Sequence, residues 1–569
     1  MVDVAIVGGG PAACTCAALL KKYMPGLEVL ILEREKMPRE HVGESLLPAI
    51  PVVLDEMGAW DKVEAADFPI KVGATFRWGK GSNLWDFDFL PFAQFHDEPR
   101  PAKFAGQRKF TAWQVDRSIF DKVLLDHAAS VGCDVREETK VVEILHTGDR
   151  VDGFKLESGE IVQAKYYLDA SGGSSILRKA MGVEADYPTK LRNIAIWQYW
   201  ENTEWAVEIG TGGTRILIMS VGYGWIWFIP IGPTRTSVGL VVPLEYYKQS
   251  GKRPLEIYEQ ALVDQPTISG LMEEATTNGK VYTTNDWSYI ADRLIGENWF
   301  LIGDSCGFAD PILSAGLTLA MTGARQVAYS IMEMERGNHD PAWLKSFYDS
   351  NQKAKIRSHI MFADYWYSAN AQFTDLIDYT SEIAKQAGHD LSPDAAFRWL
   401  ASGGFANEDP SLPMAGGCAL PAVKGISERL SQKRATWTYE KNNVFELDLA
   451  GAKEDTFPVL FEGKVLAKPC YKRGNKILPM YGVFDVVIET LRKEVFIGPI
   501  TDSLHARFTR QGNASAADVG VHISLATLEA MVADGWVKCG VDDNEDFIDF
   551  DIPEETPEIH TNQDIALYG

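Results

Sequence analysis

Several short stretches of the chain combine residue types at spacings that could do chemistry. Gly8-Gly-Gly10-Pro-Ala-Ala13 is a G-x-G-x-x-G/A pattern. In such a pattern Gly8 permits a tight turn, Gly10 lets the backbone approach a pyrophosphate, and Ala13 lets a helix pack closely on a strand. Glu33 follows at a spacing where a carboxylate accepts from a ribose hydroxyl. The chemistry is dinucleotide binding, with phosphates held by N–H groups at the positive end of a helix. Farther on, Trp299-Phe-Leu-Ile-Gly303-Asp304 is an apolar run that ends in a carboxylate. Gly224-Trp225-Ile-Trp227-Phe-Ile-Pro230 puts two indoles on one face of a strand. Phe308-Ala-Asp-Pro311-Ile-Leu-Ser314-Ala315-Gly316 ends in small residues just before a helical pattern. Backbone N–H groups there could hold an anion. Each motif alone has a plain reading: paired tryptophans are usually a buried strand face, and a Pro-x-x-Ser-x-Gly loop is usually a turn.

The surrounding pattern supplies elements to position these residues. Residues 3–8 read as a buried strand, 11–23 as a helix rich in alanine, and 28–33 as a second apolar strand. Together they form a βαβ unit. Aromatic-rich strands are expected between Phe68 and Phe95, a helix over 117–131, strands over 137–168 and 190–245, and a helix from Gly316 to Arg336. Gly210-Thr-Gly-Gly213 reads as a hairpin loop, and 342–400 as mostly helical. Pro410–Gly425 reads as a linker. Strand-like alternation follows over 435–500, then two or three short helices over 501–540, then a solvated acidic tail over 541–560. The expected organisation is a dinucleotide-binding core with an inserted substrate-side sheet (1–345), a helical substrate-pocket segment with linker (346–430), and a small C-terminal α+β domain resembling a winged helix (431–569).

The choice of dinucleotide comes from resemblance. The Gly303-Asp304 strand resembles the second FAD fingerprint of the para-hydroxybenzoate-hydroxylase-like flavoproteins. Asp169-Ala-Ser-Gly172 and Arg117 resemble the Asp-Gly motif and flavin-side arginine of the same superfamily. The Trp-x-Trp-x-Ile-Pro run, the Phe-x-x-Pro-x-x-Ser-x-Gly run and His41-Val-Gly43-Glu44-Ser45-Leu-Leu-Pro48 together make about residues 1–400 resemble the flavin-dependent halogenases. The α/β, Rossmann-like FAD fold is implied with it.

That resemblance implies an enzyme that uses reduced FAD and O2 to oxidise chloride or bromide to hypohalous acid, which halogenates an electron-rich aromatic. It places Gly43, Ser45, Arg117, Asp304, Pro311 and Leu317 beside the cofactor. Ala315 and Gly316 become halide donors after Ser314, and Trp225 and Trp227 become a wall between flavin and substrate. The family's essential lysine matches Lys71, five residues before Phe76, as in the phenol- and pyrrole-halogenating branch that includes the chloramphenicol-type enzyme; Lys80 is the competing position. Tryptophan halogenases carry Glu immediately before the loop serine. Here that residue is Leu313, which disfavours free tryptophan and favours a phenol or pyrrole, free or carrier-bound.

No nicotinamide fingerprint or nucleophile elbow is found, so reduced FAD is expected from a separate reductase. A flavin monooxygenase that hydroxylates an aromatic, or a flavin-carrying partner module of a biosynthetic assembly, would share the fold. The 569 residues carry a net charge of −24, which argues against a general nucleic-acid or anionic-membrane binder. No apolar run reaches the length of a membrane span. Seven scattered cysteines without a Cys-x-x-Cys pair point to reduced thiols in a cytoplasmic protein, and no histidine, cysteine or carboxylate cluster has metal-site spacing; a place in natural-product biosynthesis is what the resemblance implies.

Overall fold

The computed structural model describes residues 1–90, 94–208, 210, 212–285, 288–386, 395–396, 400, 414–415, 418–510, 514–548 and 559–562. The chain divides into two units, Met1–Gln386 with Pro557–Gly569, and Ala387–Thr556. The division expected at 345/346 is not where the chain parts, because a single helix, Pro341–Ser368, runs through that point.

The first unit is built chiefly, in chain order, from β1 (Val2–Val7), α1 (Pro11–Tyr23), β2 (Val29–Leu32), β3 (Ile70–Arg77), β4 (Trp85–Asp88), α2 (Arg117–Ser130), β5 (Asp134–Arg136), β6 (Ala164–Asp169), β7 (Asn193–Glu201), β8 (Gly213–Val221), β9 (Gly224–Pro230), β10 (Arg235–Pro243), β11 (Trp299–Leu301), α3 (Gly316–Arg336), α4 (Pro341–Ser368) and β12 (Ile559–Thr561). A parallel sheet runs β11-β6-β1-β2-β5. Its inner strands β1 and β2 are short and mainly apolar, as strands covered on both faces must be, while the edge strand β5 is polar and partly exposed. Helix α1 packs beside it with Ala13, Ala17 and Ala18 fully buried. Pro11 stands in its first turn, where the missing N–H is no loss, and Lys21 and Lys22 in its last turn complement the dipole. A larger sheet contains the run β7-β10-β9-β8-β3-β4-β12. One of its faces packs Leu217, Met219, Ile226, Phe228, Val238 and Leu240 into an apolar core.

Several expectations are corrected. Gly210–Gly213 is not a hairpin loop: β7 pairs β10, while β8 pairs β9 and β3. The acidic tail is not solvated to its end. Ile559–Thr561 pairs antiparallel with β4, and Asn562 donates to both oxygens of the buried Asp86 at 2.8 and 2.7 Å. Residues 549–558 lie outside the described residues.

In the second unit, Leu420–Ser431 is a helix where a linker was expected; Pro421 sits in its first turn, which tolerates proline. The start of that linker, up to residue 413, lies outside the described residues. Gly482–Leu491 is also a helix, although its apolar residues read as strand-like. A hairpin of Lys453–Phe461 and Lys464–Arg473 is followed by Lys476–Pro479, and Val444–Leu447 pairs with Val537–Gly540. Helices Ile497–Thr509 and Ala514–Ala533 complete the unit. Among the described residues no helix is long and apolar enough to cross a membrane.

Candidate active site

A cavity of about 1050 Å3 opens at the C-terminal ends of β1 and β2 and reaches the large sheet. Gly8, Gly10, Glu33, Gly43, Ser45, Arg117, Asp304, Pro311, Ser314, Gly316, Leu317, Trp225 and Trp227 all line it. The end of the first strand explains the glycine turn. Gly8 has φ +101°, and a Cβ there would lie 2.3 Å from the Ala170 carbonyl oxygen. Ala13 is buried beneath the helix start rather than in the cavity wall. The Glu33 carboxylate accepts from Gly9 N at 2.6 Å and from Glu35 N at 2.9 Å, which ties β2 to the glycine turn. A carboxylate has lone pairs left for a ribose hydroxyl.

Arg117, buried at the start of α2, is clamped by Asp121 at 2.7 and 2.9 Å and donates to the carbonyls of Val42 and Gly43. Burial opposes its charge, but Asp121 holds the guanidinium pKa above its ordinary value. Burial pushes the Asp304 carboxyl up to about 6, against the pull of Arg117. Glu44 was quoted in the sequence motif but given no role. Its carboxylate is buried in the cavity wall, and neither oxygen has a well-formed hydrogen bond. Burial pushes it up to about 7, with the Tyr199 and Ser237 hydroxyls drawing it partly back. A carboxyl in that state can hold a proton near neutral pH.

The floor of the cavity is the turn before α3. Asp310 caps the 3-10 turn Pro311–Leu313 by accepting from Ile312 N at 3.0 Å. Ser314 then adopts a left-handed φ of +55°, which turns the chain into α3. Helix α3 has Ala315 at its N-cap, no side-chain cap and no acidic residue in its first turn. Its first N–H groups therefore have no partner within the helix, and Gly316 and Leu317 meet the cavity. The opposite wall is β9. Trp225 and Trp227 face the cavity from alternate positions, while Ile226 and Phe228 face the core. Gly239, paired with Trp227, makes room for that indole; a Cβ there would lie 2.1 Å from its ring.

The two candidate lysines separate cleanly. Lys80 is exposed and Lys71 is 2% exposed. Pairing of β8 with β3 slips between Thr214 and Arg215: Thr214 faces Lys71 and Arg215 faces Gly73, so Val72 is an extra residue. Such a bulge reverses the alternation of side chains along the strand. Lys71 consequently shares a face with Ala74 and Phe76, and with the cavity-lining Ile216 and Ile218 of β8, while Ile70 and Val72 join the core on the other face. Its ammonium lies 5.3 Å from the Phe89 ring centre. It forms no ion pair among the described residues, and burial lowers its pKa to about 7. Lys71 does not line the cavity; it stands one strand beyond Ile216 and Ile218.

Behind Trp225 is an aromatic cluster that sequence reasoning registered only as aromatic content. Phe76 stacks on Trp85 at 4.8 Å and meets Trp366 at 5.1 Å. Trp78 meets Trp225, Tyr367 and Phe373 edge-on. Spacing along the chain cannot bring Trp366 and Tyr367 to this place, because α4 reaches it only through tertiary packing.

The residues present fit FAD. The cavity runs from the Glu33 carboxylate past the glycine turn to a buried apolar wall. A Cβ at Gly10 would meet open space, and among the described residues neither the Ser45 hydroxyl nor the Glu44 carboxylate makes a well-formed hydrogen bond. Fold and cavity thus define a dinucleotide-dependent protein of the flavin type, and the family model described as an FAD binding domain matches residues 1–363. A tryptophan 2-halogenase of Chondromyces crocatus is 32% identical over 378 residues, covering 65% of this chain and 68% of the relative. A 1H-pyrrole-2-carbonyl peptidyl-carrier-protein chlorinase of Pseudomonas fluorescens is 31% identical over 389 residues, covering 66% of this chain and 85% of the relative. The solved structure of the myxobacterial chondrochloren halogenase CndH aligns with TM-score 0.58 at 29% identity, over 68% of this chain and 91% of that one. The flavin-dependent halogenase CmlS aligns with TM-score 0.72 over 96% of this chain and 98% of that one; at 23% identity this is a likeness of fold. The chain belongs to the flavin-dependent halogenases. It is an enzyme with FAD as cofactor and halide as co-substrate.

Proposed function

We propose that this enzyme halogenates an electron-rich aromatic of the phenol or pyrrole class, free or carrier-bound, with Lys71 delivering the halogen. The observation that carries the reading is Lys71 itself: a buried amine without an anionic partner among the described residues, turned by a bulge onto the face shared with the cavity wall. Reduced FAD, when bound, supplies the activation of O2 that converts halide to hypohalous acid. The chain's own residues do the rest. Ala315 and Gly316 offer neutral backbone N–H groups to the halide at an uncapped helix end. Ser314 sets the turn that aims them, while Pro311 and Leu317 border the flavin site. Trp225 and Trp227 keep the aromatic substrate away from the flavin, which favours halide oxidation over hydroxylation. Lys71 Nζ donates to the oxygen of hypohalous acid. The ring carbon takes the halogen, the ring proton is lost, and water leaves.

Leu313 supports a substrate activated by its own substituent, since it offers no carboxylate. The named relatives support the same chemistry. One is named for a carrier-bound pyrrole; the other is named for tryptophan, so its name supports halogenation of an aromatic and not the choice of phenol or pyrrole. A carrier-borne substrate and a separate reductase complete the reading. The helices and antiparallel strands of the second unit support a winged-helix-like description. The seven cysteines, which form no disulfide, suit a cytoplasmic setting.

Crystals soaked in bromide should show anomalous density within hydrogen-bond distance of the Ala315 and Gly316 amides. Bromide bound elsewhere, with none at the start of α3, would count against the halide site.

A further inference from the structure

We propose that Tyr367 is a positioning residue for this reaction: its hydroxyl ties the Trp225 indole to the Asp310 carboxylate, and so fixes the wall of the site against the turn that leads to Ala315 and Gly316. The proposal rests on the halogenase reading of the site above. Trp225 Nε1 donates to Tyr367 Oη at 2.7 Å, and Tyr367 donates to the Asp310 carboxylate at 3.2 Å. Asn193 Nδ2 supports both, donating to Asp310 Oδ2 at 2.9 Å and to Tyr367 Oη at 3.2 Å. The other Asp310 oxygen caps the 3-10 turn through Ile312 N. A single buried carboxylate thus caps the floor of the cavity through Oδ1 and holds its wall through the Tyr367 hydroxyl, which lies 3.3 and 3.2 Å from its two oxygens.

An indole has one polar atom. Apolar packing excludes water from around it but leaves the ring free to slide, whereas a hydrogen bond from Nε1 sets its orientation. The packing here is extensive without the hydroxyl. Trp78 meets Trp225 at 6.3 Å and Tyr367 at 5.8 Å, and Phe373 meets Tyr367 at 5.9 Å. Tyr367→Phe therefore keeps the ring stack and removes only the link. Trp225 Nε1 and one Asn193 contact are then left without that acceptor at a buried point, a state that polar groups leave by moving. A loosened wall lets hypohalous acid escape before it reaches the aromatic.

The test compares wild type with Tyr367→Phe, supplied with a flavin reductase, bromide and a phenol, with free methionine added to trap escaping oxidant. The expected result is about tenfold less halogenated product per O2 consumed, the scale of one hydrogen bond, with trapped oxidant rising to match. In a Trp225→Phe background the same change should add nothing to the loss, because the link is already gone. Additive losses, or unchanged product per O2 in the single variant, would overturn the proposal. A second measurement separates it from the functional reading. In protein labelled with 5-fluorotryptophan, the Trp225 resonance, assigned by its absence in Trp225→Phe, should shift in Tyr367→Phe. An unmoved resonance overturns the positioning role whatever reaction the enzyme performs. A shifted resonance in a wild type that makes no halogenated product would uphold the link and remove the reading it serves.

Discussion

Lys71→Met should abolish halogenation while FAD binding and oxygen consumption persist. Lys71 lies one strand away from the cofactor cavity, so its loss leaves the cavity lining intact. Methionine keeps most of the side-chain volume and removes the N–H groups. The expected loss of product is at least about 10²-fold, the scale of one preorganised donor aimed where charge develops. Lys80→Met is the control, and this exposed side chain should be dispensable. Retained halogenation in Lys71→Met would reject the role. The same variant carries a pH signature. Burial lowers the Lys71 pKa from 10.5 to about 7, so folding disfavours the protonated amine. The unfolded chain then binds more protons between these two values, and wild-type stability rises with pH across that window. Lys71→Met should be more stable than wild type by the widest margin below about pH 7, on the order of a few kcal/mol, with the margin closing as the pH approaches about 10. Urea midpoints at the two ends measure it, and a margin independent of pH would show that the buried amine is not the group titrating.

Gly10→Val should give a folded protein that no longer binds FAD. A Cβ at Gly10 meets nothing within 4 Å, and the residue has an ordinary φ of −79°, so the fold accepts a side chain there. The branched side chain then fills the space in which the pyrophosphate meets the helix N-terminus. Two lost charge-assisted hydrogen bonds alone would lower FAD affinity by about 10²-fold or more. Gly8→Val differs in kind. There the Cβ would lie 2.3 Å from a backbone oxygen on a left-handed residue, so the turn itself should fail. Circular dichroism and FAD titration distinguish the two. A folded Gly10→Val that binds FAD as tightly as wild type would remove the glycine turn from the cofactor site.

What was legible in the sequence was local. The βαβ unit, the helix that begins at Gly316 and the paired tryptophans follow from glycine turns and from period-2 or period-3.6 patterns. The face on which Lys71 lies was not legible. Five residues separate it from Phe76, an odd spacing that puts the two on opposite faces of a regular strand. The bulge at Val72 reverses this, and it exists only in the pairing of β3 with β8. The hydrogen-bonded group of Asn193, Asp310 and Tyr367 could not be read either. Its members come from β7, the turn before α3, and α4, and they meet only through tertiary packing. Glu44 stood in view between Gly43 and Ser45, but a carboxylate in sequence does not disclose whether it will be buried without partners. The strand at Ile559–Thr561 was hidden behind acidic residues whose charge reads as solvated.

The most direct test of the central claim is product mass. The purified chain should be incubated with FAD, a flavin reductase, NADH and bromide, against phenols, a pyrrole and free tryptophan, with chloride in a parallel series. The account predicts that a phenol or pyrrole gains a bromine, seen as a near-equal isotope doublet that is absent without halide and absent in Lys71→Met. A product that instead gains only oxygen, equally with and without halide, would contradict it.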